Sequence, residues 1–188
     1  GGHSDITAGA IACSQEHMNI IWNKSKNLGG SLADFMVWML ERSLKTLGLR
    51  VKAQNKNAKK LAKWLHKNEH VSRVYYPGLK SHPDHELAKS QMSGYGGMLS
   101  FELNENLDAD RFQKELKLIK SSMSLAGVES TILSPAKTSH SLMSAEERKN
   151  QKISDGLLRF SVGIEDTKDI IADLDQALEA ITEQHLIK

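Results

Sequence analysis

The residue best placed to do chemistry in this chain is an arginine on an apolar strand. Arg159 lies in the stretch LLRFSVG, where Leu157, Leu158, Phe160, Val162 and, just beyond, Ile164 are apolar and mostly β-formers. A buried guanidinium is costly unless it meets an anion or a full set of acceptors. Its planar fork matches a carboxylate through two parallel hydrogen bonds. One reading has Arg159 pointing from the strand into a cleft to hold a ligand carboxylate. The other places it in a structural ion pair with Glu129, Glu165 or Asp166. Two further stretches carry hydroxyls. SSMSLAGVES, residues 121 to 130, packs small and hydroxylic residues into a loop. Backbone N–H groups around Ser124 to Gly127 could help hold an anion, or the loop could be a plain turn. In SPAKTSHS, residues 134 to 141, Ser139 and His140 could line a pocket or cap the helix that follows.

Other chemistries find less support. His82 and His85 stand three apart in HPDH, but Pro83 separates them and no cysteine or third histidine is close in sequence, so no metal is expected. The chain has no GxGxxG, P-loop or GxSxG motif. Its one cysteine, Cys13, allows no internal disulfide; within ITAGAIACS it reads as a small buried apolar residue, in keeping with a reducing, cytoplasmic compartment. The 188 residues carry 25 basic and 23 acidic side chains, a net charge of +2, which gives no reason to expect a nucleic-acid or anionic-membrane partner. The lysines of KNAKKLAKWLHK, residues 56 to 67, alternate with apolar residues at helical spacing and read as a solvated helix face. No apolar run approaches the roughly 20 residues of a membrane span. The start, GGHSD, lacks both an initiator Met and a signal-peptide pattern and reads as processed, truncated or interrupted.

The elements that must position these groups follow from periodicity. DITAGAIAC (5 to 13) reads as a buried strand, and residues 14 to 30 as a helix capped by Ser14 and stopped at Gly29-Gly30. Residues 31 to 68 carry an apolar stripe through Leu32, Phe35, Met36, Met39, Leu40, Ser43, Leu44 and Leu47, then Leu49, Val51, Ala58, Leu61 and Leu65. Gly48 weakens its middle, so two helices or one bent helix are expected, the second serving as a connection between domains. After residue 68 short strands alternate with short helices. Strands are expected at 71 to 78, 96 to 104, 119 to 127 (strand or extended) and around Arg159. Helices are expected at 83 to 92, 108 to 118, 144 to 151 and 167 to 184. That order predicts an α/β sandwich with helices on one face.

Taken together, LKTLGLRV, NAKKLAKWL, VYYPGLKSHPDHELAKSQMSGYGGMLSFEL, SLAGVES, SPAKTSH and ISDGLLRFSVGIEDTKDIIADLDQAL resemble one family across essentially the whole chain. It comprises the pyridoxal-phosphate enzymes of cysteine and methionine metabolism: cystathionine γ-synthase, the cystathionine lyases, methionine γ-lyase and the homoserine-ester sulfhydrylases. The resemblance implies a carboxy-terminal half. Residues 1–68 would be the remainder of a fold-type-I large domain with a long connecting helix, and 69–188 a small α/β domain with a mainly antiparallel sheet. It also implies that the Schiff-base lysine falls immediately before Gly1, with no catalytic or cofactor-binding residue in this chain, which alone is not expected to turn over. By position it assigns Arg159 to the substrate's α-carboxylate, Ser124 beside it, and Ser139 to the same pocket. Met123 stands where relatives carry Glu, Tyr or an apolar residue. The expected activity is C–S lysis of cystathionine or methionine, with γ-replacement or a non-catalytic assembly module as alternatives. Expected partners are an amino-acid substrate, the amino-terminal half of the enzyme, and copies of itself in a homotetramer.

Overall fold

The computed structural model describes residues 1–183, so the expected end of the last helix at residue 184 lies outside the described residues. The chain divides into two compact units, Gly1–Gly48 and Leu49 onward.

In the first unit, residues 5 to 13 form no strand, and Cys13 is exposed. Both findings correct the sequence reading, and for one reason. An apolar β-forming run states a demand for burial, but a strand exists only where a neighbouring ladder takes its N–H and C=O groups. Among the described residues none pairs with this segment. Helix α1, Gln15–Leu28, does start on Ser14, whose hydroxyl accepts from the His17 N–H, and stops at Gly29, held at φ 76°. Helix α2, Asp34–Leu44, half-buries Met36, Met39 and Leu40 and buries Ser43, while Phe35 and Leu44 stay exposed. The break before the next helix falls at Lys45–Thr46; Gly48 lies inside α3, Leu47–Leu65.

The second unit is built on a five-stranded sheet of order β1-β2-β5-β4-β3. Its strands are β1 (Val71–Tyr75), β2 (Met98–Leu103), β3 (Lys120–Ser121), β4 (Thr131–Leu133) and β5 (Leu157–Ser161). All neighbours are antiparallel except β3 and β4. β2 alternates as its sequence requires: Leu99, Phe101 and Leu103 are buried, and Met98, Ser100 and Glu102 face the other way. On the buried face lie α3, α5 (Ala109–Glu115) and α7 (Thr167–Glu183), which contribute Ala58, Leu61, Leu65, Phe112, Ile170, Leu174, Leu178 and Ile181 to one core with Ile132, Leu158 and Phe160. Leu49 and Val51 are exposed; α3 buries Arg50, Gln54 and Asn57 instead, so the inward face of its first turns is polar. The lysines at 56, 59, 60, 63 and 67 are all exposed, as the solvated-face reading expects. Asp108 caps α5 by accepting from Asp110 and Arg111 N–H groups. α4 (His85–Gln91) follows the YPG turn, where the Tyr76 ring is buried, donates its hydroxyl to the Gly96 carbonyl, and has its phenol pushed up to about 12 by burial and by the neighbouring Tyr95. α6 (Ala145–Asn150) opens on a reciprocal capping box between Ser144 and Glu147, which holds the Glu147 carboxyl below its ordinary range.

No helix of the described residues is long and apolar enough to cross a membrane.

Candidate functional site

Strand alternation sends Leu158 and Phe160 into the core and Arg159 and Ser161 to the opposite face of the sheet. Register places Arg159 between Ser100 of β2 and Leu133 of β4. The guanidinium is half-buried and turned back over the 122–130 loop. Its Nη2 donates to the Met123 carbonyl at 3.0 Å and to the Ser124 carbonyl at 3.1 Å. Nε is buried and has no partner, and Nη1 donates to nothing among the described residues.

For Glu165 and Asp166 the ion-pair reading of Arg159 is answered by this geometry. Among the described residues no carboxylate lies within 4.0 Å of its guanidinium. Glu165 is committed to Ser130, accepting from its N–H at 2.6 Å and its hydroxyl at 2.9 Å. Asp166 accepts from the Lys168 N–H at the start of α7. Arg159 is therefore a cation held at Nη2 by two neutral carbonyls with Nη1 left to donate, which is the electrostatic complement of an anion such as a carboxylate.

Of the residues expected beside it, Ser124 and Met123 are brought to Arg159 through their backbone. Ser124 is half-buried, whereas the Met123 side chain is exposed. Ser139 is not brought into contact: it is exposed, past a short 3₁₀ turn at Pro135–Lys137, and its hydroxyl pairs with Nδ1 of His140 at 2.8 Å. The loop is not an open nest of N–H groups either. The Ser124 N–H goes to the Ser122 hydroxyl and the Ala126 N–H to the Ser161 hydroxyl. His82 and His85 are occupied locally, His82 accepting from the Asp84 N–H and His85 bonded to the Pro77 carbonyl. Among the described residues no group of three or more His, Cys, Asp or Glu could hold a metal ion. Two surface clefts, of about 500 Å³ beside Asp108 and about 340 Å³ beneath α6, contain neither Arg159 nor Ser124.

The residues that hold the loop were not singled out in the sequence. Gln54 of α3 donates to the Gly127 carbonyl at 2.7 Å, and Asn57 donates to the carbonyls of Gly163 and Glu165. Thr131 donates to the Ser124 carbonyl. For Ser161 the signal was available, since it lies two residues from Arg159 on the same strand face. Gln54 and Asn57 show only as polar residues on the inner side of a helix, without their distant partners.

The chain is similar to known proteins along most of its length. Residues 1–179 match the family model described as Cys/Met metabolism PLP-dependent enzyme. A cystathionine γ-lyase of Bacillus subtilis is 43% identical over 185 residues, which are 96% of this chain and 48% of that protein. The chloroplastic cystathionine γ-synthase 1 of Arabidopsis thaliana is 44% identical over 182 residues, 96% of this chain and 32% of that protein. The crystal structure of cystathionine γ-lyase from Lactobacillus plantarum complexed with L-serine superimposes with a TM-score of 0.89 at 36% identity, covering 96% of this chain and 48% of that one. The chain thus spans about half the length of the lyases it matches.

Proposed function

The chain belongs to the Cys/Met metabolism PLP-dependent enzyme family, and from that premise we propose that the complete protein is a pyridoxal-phosphate-dependent C–S lyase of sulfur amino-acid metabolism, acting on cystathionine or methionine. Within it, residues 1–68 are the remainder of the large, cofactor-binding domain with α3 as the connecting helix, and 69–188 are the small domain. Arg159 holds the substrate's α-carboxylate. Ser124, Met123 and Ser139 belong to the wall of the substrate pocket. The amino-terminal half of the enzyme completes that pocket, and the assembly is a cytoplasmic homotetramer.

One observation carries this reading: Arg159 has no carboxylate partner among the described residues, yet its guanidinium is fixed in place. When bound, pyridoxal phosphate supplies an electron sink for the charge left at Cα. A guanidinium suits a phosphate as well as a carboxylate; the proposal gives Arg159 to the amino acid's carboxylate and assigns no residue of this chain to the cofactor. What the chain contributes is orientation. A carboxylate held there fixes rotation about the substrate's Cα–N bond and so decides which of the other Cα bonds is presented for cleavage, a positioning effect.

The test is substitution of Arg159 in the complete enzyme. Arg159→Ala is expected to weaken amino-acid binding about 100-fold, the scale of losing one partner of a hydrogen-bonded charge pair, with cofactor absorbance unchanged. Arg159→Lys keeps the charge, loses the fork and stays impaired. Lost cofactor absorbance with intact amino-acid affinity would contradict the assignment. A second reading, γ-replacement, is favoured by the similarity to the Arabidopsis protein named a cystathionine γ-synthase. Separate assays with cystathionine, methionine and an O-acyl-homoserine distinguish the two.

A further inference from the structure

Two buried hydroxyls face each other one step along the sheet from Arg159. Thr131 of β4 and Ser161 of β5 are register partners and are 4% and 2% exposed. Ser161 lies on the same face of β5 as Arg159, and Thr131 opposes it. Each reaches up to the loop that holds the guanidinium. Thr131 Oγ1 donates to the Ser124 carbonyl at 2.9 Å, the same oxygen that accepts from Arg159 Nη2 at 3.1 Å. Ser161 Oγ accepts from the Ala126 N–H at 2.8 Å. Both lone pairs of the Ser124 carbonyl are therefore used, one by the hydroxyl and one by the arginine. Between these two contacts Ala126 sits at φ 59°, a left-handed conformation that a residue with a Cβ adopts only when its surroundings impose it.

We propose that Thr131 and Ser161 are positioning residues for Arg159, the two hydroxyls pinning the 124–126 segment so that its carbonyl aims the guanidinium fork. The proposal rests on the reading of Arg159 as the carboxylate anchor. Neither hydroxyl touches the substrate. Removing one lets the 124–126 segment relax toward ordinary backbone angles, and the carbonyl that orients the fork turns with it.

The test uses the complete holoenzyme and two probes without the C–S bond, L-norleucine and L-norleucinamide, whose equilibrium binding is read from the cofactor's absorbance. They differ only at the group Arg159 is proposed to hold. Thr131→Val keeps the shape and removes the donor; Thr131→Ser keeps the donor; Ser161→Ala is the independent second variant. With one hydrogen bond removed, the preference for acid over amide should fall about 10-fold in Thr131→Val and in Ser161→Ala. It should return to within about 2-fold of wild type in Thr131→Ser, where the donor is kept. Added to Arg159→Ala, neither change should lower the preference further, because both act through the arginine. Equal losses for acid and amide, or losses that add to those of Arg159→Ala, mean that the hydroxyls serve only stability and overturn the proposal. If Arg159→Ala itself leaves the preference intact, the anchor reading has failed, and the inference falls with it.

Discussion

Gly163 shows how one missing side chain allows the site to close. Its φ is ordinary, so the need for glycine there is proximity and not backbone freedom. A Cβ at this position would meet the Val128 carbonyl oxygen, the Ser130 amide nitrogen and the Glu165 carboxylate. Two of those are backbone atoms that cannot step aside alone. Through the gap run the bond from the Gly163 N–H to the Ser130 hydroxyl and the paired bonds from Ser130 to Glu165. Gly163→Ala is expected to destabilise the protein by about 3 kcal/mol, as overpacking against rigid atoms does. Urea unfolding measures it, and an unchanged midpoint would mean that the loop yields. At this scale the sequence is informative about Arg159, because a cation on an apolar strand is an anomaly that demands an explanation. It is silent about Gly163, whose reason is a pair of backbone atoms some 35 residues away, of which the local sequence carries no trace.

Elements are legible in proportion to their length. The long helix α7 follows from Ile170, Ile171, Leu174, Leu178 and Ile181 on one face, and Ile170, Leu174, Leu178 and Ile181 are indeed buried. β4 has three residues, too few for any period to register, and the sequence reading passed over it. Where a ladder was expected over 119 to 127, β3 keeps only Lys120–Ser121, because the chain must leave the sheet to form the loop over Arg159. What fixes the entry into β3 is also unreadable locally. Asp173 lies on α7, 6% exposed, and its carboxylate accepts three consecutive N–H groups, those of Lys117, Leu118 and Ile119, at 2.8, 2.9 and 2.8 Å. It ties α7 to the connection between α5 and β3. Asp173→Ala leaves three donors without their acceptor and is expected to cost about 4 kcal/mol, with Asp173→Asn intermediate since its amide offers a single oxygen. Denaturant unfolding gives the size of the loss, and amide exchange should speed up first at residues 117 to 119. Uniform acceleration across the sheet would place the role of Asp173 elsewhere.

At the scale of the whole molecule the two units differ in what they bury. Leu49 onward encloses a continuous core between a sheet and three helices. In the first unit, by contrast, large apolar side chains are left in solvent: Trp22 is 60% exposed, Phe35 64%, Trp38 56% and Leu28 83%, and the rings of Phe35 and Trp38 stack on each other at 5.9 Å. Clustered apolar surface of this kind marks a face that another surface covers. That is also why residues 5 to 13 read as a buried strand and yet, Ile6 apart, stand exposed: the sequence states the demand, and the described residues do not meet it. We expect the faces of α1 and α2 to be covered in the complete protein, since the relatives carry about as much chain again beyond the region matched here. Tryptophan reports on this directly. Trp64, packed against the core of the second unit, is replaced by Phe so that Trp22 and Trp38 alone emit. In this chain by itself their emission should be that of solvated indole and strongly quenched by acrylamide. In the complete protein carrying the same substitution, the part of the emission that is lost when Trp22 and Trp38 are also changed to Phe should lie to the blue and be quenched several-fold less. Equal quenching in the two would show that these faces stay in water and that the rest of the enzyme seats elsewhere.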